Sequence, residues 1–213
     1  WSFREIFVDR IYSFQSASTS PRILDCGANY GTSVVFFKEL YPSAKILALE
    51  PDPQIFEVLE WNMRTRGLED VDLRNLALSH CRGPVEWYHE GADAGRIHEI
   101  EGVSAQDQVS TIALDDILDE DVDFLKMDIE GEETDVICST QNLDRVQQLF
   151  IEYHSFSDRA QELDCLLRKL KETGFRYFIQ TQFVSPRPLI DPEQQLGMDL
   201  QLNIFGLSER AGA

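Results

Sequence analysis

The sequence predicts an α/β fold: a doubly wound, mostly parallel seven-stranded sheet with helices on both faces and an antiparallel C-terminal edge strand. Three observations carry that reading. Short apolar runs alternate with amphipathic segments over most of the length, the pattern of βαβ units. Four of the runs end in an acid, at Asp25, Glu50, Asp128 and Glu152. A glycine turn, Gly27-Ala28-Asn29-Tyr30-Gly31, follows the first run and precedes Thr32-Ser33-Val34-Val35, so strand, tight turn and helix N-terminus come in direct succession.

The elements follow in order. Phe3, Ile6, Phe7 and Ile11 fall at helical spacing, so residues 3–14 predict a helix, closed by the serines of 16–20 and Pro21. Strands are expected at 22–26 and 45–49, with a helix from Thr32 to Tyr41 between them. Asp52-Pro53 reads as an N-cap followed by proline in the first turn. Phe56, Leu59 and Met63 then share a face, and Gly67 closes that helix. Val71–Leu76 is the third strand. Residues 79–110 hold Gly83, Pro84, Gly91, Gly95 and Gly102 around one apolar patch at Val85–Tyr88. They predict a short strand and a long mobile loop, a lid insertion. A strand at 122–127, a helix from Gly131 to Gln141 and a strand at 146–152 come next. Leu163, Leu166, Leu167 and Leu170 mark an amphipathic helix within 159–172. Phe175–Gln180 and Leu200–Gly206 pair as the final strands, joined by the polar stretch 185–199.

At 213 residues the chain is read as one domain, 1–213, with 1–20 as an N-terminal helix and linker. It has no initiator Met and no signal-like start, so it is read as trimmed or as a piece of a longer protein. Its net charge of −19 disfavours a nucleic-acid partner and an anionic membrane surface. A small-molecule or peptide acceptor remains, with a neighbouring domain or a second copy as further partners. Cys26, Cys81, Cys138 and Cys165 are scattered, which predicts reduced thiols and a cytoplasmic setting.

The acidic strand ends all point to the crevice where open α/β sheets bind ligands. The glycine spacing is G-x-x-x-G rather than G-x-G-x-x-G. Asp25 at the mouth of the turn would repel a pyrophosphate and suits an ammonium. S-adenosyl-L-methionine has an ammonium and no phosphates. Glu50, at the second strand end, suits a pair of ribose hydroxyls.

Leu24–Gly31, Val109-Ser110-Thr111-Ile112-Ala113-Leu114-Asp115-Asp116, Lys126-Met127-Asp128-Ile129-Glu130-Gly131-Glu132-Glu133 and Glu152-Tyr153-His154 together resemble the FkbM-type methyltransferases, of the class I Rossmann-like kind, over about residues 20–155. The resemblance implies a single class I methyltransferase domain that uses S-adenosyl-L-methionine. It implies that Asp25, Gly27, Asn29 and Gly31 hold the methionine part, that Thr32 and Ser33 meet its carboxylate at a helix N-terminus, and that Glu50 binds the ribose. Pro51 and Asp52 would flank the adenine, and Ala77 and Leu78 would wall it. Asp128 would face the ammonium or the nucleophile, and it also suits a helix N-cap. His154 is the candidate base for O-methylation of a small natural product, sugar or peptide; a carboxylate acceptor would need no base. No metal is assigned: Asp128, Glu130, Glu152 and His154 could offer ligands to Mg²⁺, but the sequence does not fix their spacing. The nine-residue recurrence of His80, His89 and His98 matches no zinc motif. A nucleotide-dependent oxidoreductase and a non-catalytic module of the same fold are the alternatives. The first lacks the third glycine of its turn, and the second sits poorly with Asp25, Glu50, Asp128 and His154 all present.

Overall fold

The computed structural model describes residues 3–91, 94–97, 105 and 107–212. A single π-helical turn, Arg4–Val8, is followed by β1 (Arg22–Cys26), α1 (Thr32–Leu40), β2 (Lys45–Leu49), α2 (Pro53–Thr65), β3 (Asp72–Arg74) and β4 (Ala77–Leu78). Then come β5 (Pro84–Gly91), β6 (Ala94–Arg96), β7 (Asp107–Ile112), β8 (Val122–Met127), α3 (Glu133–Ser139), β9 (Val146–Phe156), α4 (Leu163–Glu172), β10 (Phe175–Val184) and β11 (Met198–Ser208).

The main sheet has seven strands in the order β10-β11-β9-β8-β1-β2-β3. From β9 to β3 every pairing is parallel. The antiparallel pairings are confined to the C-terminal edge, where β11 lies between β9 and β10. The antiparallel strand is thus one place in from the outer strand.

The central strands read as mostly apolar runs because they are buried on both faces. Leu24, Leu125, Leu149 and Ile151 face one core with α3 and α4 residues such as Val136 and Leu166. Ile23, Ile46, Phe124 and Phe150 face the other, with Phe36, Phe37, Leu59 and Met63 of α1 and α2. Asp52 caps α2, accepting from the backbone N–H of Gln54 at 2.8 Å and Ile55 at 3.1 Å.

Three expectations are corrected. The helix over 3–14 is one turn only: Arg10 takes a φ of +55°, which breaks the helical path. Tyr12 and Phe14 then turn inward onto Phe150 and Phe124, at ring separations of 4.8 and 4.6 Å. The stretch 79–110 is not a loop with one short strand. β5, β6 and β7 build a second sheet with β4, in the order β4-β7-β5-β6; Trp87 and Val109 bury themselves there with Ala77. The parts of the expected lid at 92–93, 98–104 and 106 lie outside the described residues. Finally, the four thiols are not all free. Cys138 of α3 and Cys165 of α4 form a disulfide, while Cys26 is buried and Cys81 exposed. Packing of α3 on α4 brings together cysteines that are 27 residues apart, and the compartment argument from reduced thiols loses its support. No helix among the described residues is long and apolar enough to cross a membrane.

Candidate functional site

The carboxyl ends of β1, β2 and β8 open on a cleft. Seven of the residues singled out in the sequence border it: Gly27, Asn29, Glu50, Pro51, Ala77, Leu78 and Asp128. Trp87, Gly95 and Ile97 of the small sheet close one side, and Ile129 and Glu130 extend the rim beyond β8.

The turn is anchored to both neighbouring strands. The backbone N–H groups of Gly27 and Ala28 donate to Leu49 O at 3.0 and 2.8 Å. Lys126 Nζ donates to Gly27 O at 2.5 Å. Gly27 has a φ of +83°, and a Cβ there would lie 1.8 Å from Asp128 O. Asn29 also takes a left-handed φ, +49°, which Asn tolerates better than most residues. Its N–H donates to Glu50 Oε2 at 2.9 Å, and the Asp52 N–H donates to Oε1 at the same distance. Burial pushes the Glu50 carboxyl up to about 7, against the pull of those two donors.

Five of the expected cofactor contacts, Asp25, Gly31, Thr32, Ser33 and Asp52, do not border this cleft. Asp25 is fully buried beneath the turn. Its Oδ2 accepts from Ser33 Oγ at 2.5 Å, and its Oδ1 lies 3.5 Å from Lys126 Nζ. Desolvation raises its pKa while Lys126 opposes the rise. Ser33 thereby satisfies Oδ2, while Oδ1 has no hydrogen-bond partner among the described residues and meets Lys126 only as an ion pair. Gly31 is a packing residue: a Cβ there would lie 2.5 Å from Met63 Cε and 2.6 Å from Leu59 Cδ1 of α2. Gly31 and Thr32 border a separate outer groove with Phe3 and Phe7. Asp52 is 2 % exposed and its carboxylate is committed to the α2 cap.

Beyond β8 the acids gather around His154. Glu133 Oε1 accepts from His154 Nδ1 at 3.0 Å and from the backbone N–H of Ile129 and Gly131, each at 3.1 Å. One carboxylate thereby fixes both the ring and the loop that carries Glu130. His154 Nε2 lies 3.6 Å from Glu130 Oε2, and 3.9 Å from both Asp128 Oδ1 and Glu152 Oε1. Gln201 Nε2 donates to Glu152 Oε1 at 2.5 Å and lies 3.4 Å from His154 Nε2. Burial works against a charged ring, but the fields of Glu133 and Glu130 outweigh it and hold the His154 pKa well above its usual value. Burial, helped by Asp128, pushes the Glu152 carboxyl up to about 8. His154 itself borders a smaller recess with Gly131, Tyr153 and Arg159, next to the cleft. Among the described residues two groups bring ligand atoms close enough to hold an ion: Asp128, Glu130 and His154, and His80, Glu132 and Asp135.

The family model for the methyltransferase FkbM domain matches residues 25–177. The chain belongs to the FkbM methyltransferase family. Methyltransferase sdnD of Sordaria araneosa is 27 % identical, over 81 % of this chain and 80 % of that protein. The 2-O-methyltransferase NoeI of Sinorhizobium fredii is 28 % identical, over 62 % of this chain and 63 % of its own length. A crystal structure of methyltransferase FkbM from Methylobacillus flagellatus superposes with a TM-score of 0.57 at 18 % identity, over 95 % of this chain and 47 % of that one. The fold is therefore that of the Rossmann-like methyltransferases.

Three residues of this FkbM-family site escaped the sequence reading. Lys126 is a buried cation between Asp25 and Asp128, 3.5 and 3.6 Å from their carboxylates; its signal is a lysine next to the last residue of a mostly apolar strand. Glu133 is 1 % exposed and grips His154; its signal is an acid in the first helical turn. Trp87 borders the cleft from the patch read only as a short strand before a loop.

Proposed function

We propose that this chain transfers a methyl group from S-adenosyl-L-methionine to a hydroxyl oxygen of a small natural product, a sugar or a peptide. The supporting observation is the division of the cleft into a polar and an apolar end. Glu50 offers a buried carboxylate at the second strand end, suited to two hydroxyls of a ribose. Pro51, Ile55, Ala77 and Leu78 supply apolar walls for a flat ring. Asp128 and Glu130 put negative charge at the rim, which favours a cationic ligand and repels a phosphate. The residues present fit the cofactor, with Gly27 and Asn29 lying along its path.

The cofactor, when bound, supplies the activated methyl group. The chain's own task is alignment and proton removal. His154 Nε2 takes the hydroxyl proton while Glu133 holds Nδ1 as a donor. The carboxylates around the ring make Nε2 a stronger base, and they also keep it protonated to a higher pH. Activity should therefore rise above the ordinary histidine range, near pH 6.5. The similarity to NoeI, a 2-O-methyltransferase, supports oxygen as the accepting atom. The chain's net charge of −19 favours a neutral or cationic acceptor.

A product assay tests this reading. The chain would be incubated with methyl-labelled S-adenosyl-L-methionine and a panel of sugars, hydroxylated natural products and peptides. Base-stable label on an ether oxygen supports it. Base-labile label would mean a carboxylate acceptor and would overturn the hydroxyl assignment.

A further inference from the structure

Trp87 is 5 % exposed, and its indole Nε1 has no hydrogen-bond partner among the described residues. An indole N–H can only donate, and a buried donor without an acceptor is rare in a folded protein. The atom is not lost in the core. Trp87 borders the cleft beside Gly95 and Ile97, and its ring lies flat against Gly95, where a Cβ would come within 2.7 Å of Nε1. Ala77 and Val109 pack on the same ring. Only a glycine at 95 lets the β6 backbone approach the indole this closely.

The rest of the cleft indicates what the donor meets. On the proposed reading, Glu50 takes the ribose. The base bonded to that ribose must then lie close by, among Pro51, Ile55, Leu76, Ala77 and Leu78. Those side chains are apolar and satisfy no ring nitrogen. Adenine carries three ring nitrogens that accept, at N1, N3 and N7. A lone donor set in an apolar wall matches a heteroaromatic nitrogen better than a hydroxyl or an ammonium, both of which would compete as donors.

We propose that the indole N–H of Trp87 donates to a ring nitrogen of the cofactor's adenine. This makes the small sheet β4-β7-β5-β6 part of the cofactor site rather than an insertion over the acceptor. The inference rests on the proposal that S-adenosyl-L-methionine occupies the cleft.

The test is calorimetric titration with S-adenosylhomocysteine and its 1-deaza, 3-deaza and 7-deaza analogues, on the intact chain and on Trp87→Phe. Phenylalanine keeps an apolar ring and removes the N–H. Wild type should bind one of the three analogues about 5–10-fold more weakly than the parent compound, the usual effect of one hydrogen bond. Trp87→Phe should bind parent and that analogue equally, both at the weaker level. The analogue series on wild type stands whether or not the variant folds. Equal affinity of wild type for the parent and all three analogues would overturn the donor role. So would unchanged parent affinity in Trp87→Phe, or a loss confined to the KM of the acceptor. No binding of the parent compound by wild type would instead remove the cofactor reading on which the inference rests.

Discussion

The backbone of Gly27 touches the carbonyl of Asp128: a Cβ on Gly27 would lie 1.8 Å from Asp128 O. The first glycine of the turn is therefore required by the neighbouring strand end as well as by its own φ of +83°. Gly27→Ala should lose about 3 kcal/mol of stability, from left-handed strain plus overpacking, read from urea unfolding. Its S-adenosylhomocysteine affinity should fall as well, since the turn and Asp128 are displaced together. A variant as stable as wild type would show that the contact relaxes freely.

His154 and Glu133 form the second relationship that can be tested. His154→Ala should keep cofactor affinity and lose turnover by ~10²–10⁴-fold. In wild type the rate should climb with pH around a midpoint well above 6.5, because the surrounding carboxylates favour the charged ring. Glu133→Gln removes the strongest of those fields and should move the midpoint down. Full activity in His154→Gln, which can hydrogen-bond but cannot take the proton at neutral pH, would end the base assignment. A flat profile above about pH 5 would point to an acceptor already ionised.

Glu50 and Glu152 should make stability fall as pH rises. Both carboxyls bind a proton more tightly in the fold, near 7 and near 8, than in the unfolded chain, near 4.3. Their stabilising contribution is complete below about pH 4.3. It declines as pH rises and is gone once the folded pKa values are passed. Thermal unfolding of the free chain between pH 5 and 8 reads this directly. Glu152→Gln should flatten the upper part of the slope; a melting temperature that rises across the range would contradict the sign.

The Cys138–Cys165 bond closes a 27-residue separation. Alkylation of the denatured, unreduced chain should label Cys26 and Cys81 and spare the other pair. Reduction should lower stability by about 3–4 kcal/mol on the loop-entropy model. Labelling of all four thiols would return the chain to the reduced state that its cysteine spacing suggests.

The central sheet was legible because its strands are buried on both faces. Ile23–Cys26, Ile46–Leu49 and Val122–Met127 carry their burial in their composition, and two of the acids that end runs, Glu50 and Asp128, border the cleft. The small sheet was not legible. Its strands sit among glycines and histidines, and Trp87 pairs with Asp107, twenty positions on, a partner that no local pattern names. The N-terminal apolar spacing was read as helix, yet it serves one turn and then an inward path for Tyr12 and Phe14. Within the site, the sequence placed Glu50 and Asp128 at the strand ends that do border the cleft. It could not show that Asp25 is buried beside Ser33 and Lys126, because cross-strand pairing, Asp25 beside Lys126, is a property of the sheet. Gly31 was read for a ligand, and no local pattern showed that it also makes room for Met63.

The cleft is proposed as a site for S-adenosyl-L-methionine, with Glu50 at its ribose. Calorimetric titration with S-adenosylhomocysteine, run on wild type and Glu50→Ala with NAD as a parallel ligand, measures that claim. Wild type should bind S-adenosylhomocysteine with a Kd on the order of micromolar and show no heat with NAD. Affinity should tighten as pH rises through about 7, where the Glu50 carboxylate forms and can accept both hydroxyls. Glu50→Ala should weaken binding by ~1–3 kcal/mol, the loss of charge-assisted hydrogen bonds. Undiminished affinity in Glu50→Ala, or binding of NAD in place of S-adenosylhomocysteine, would contradict the account.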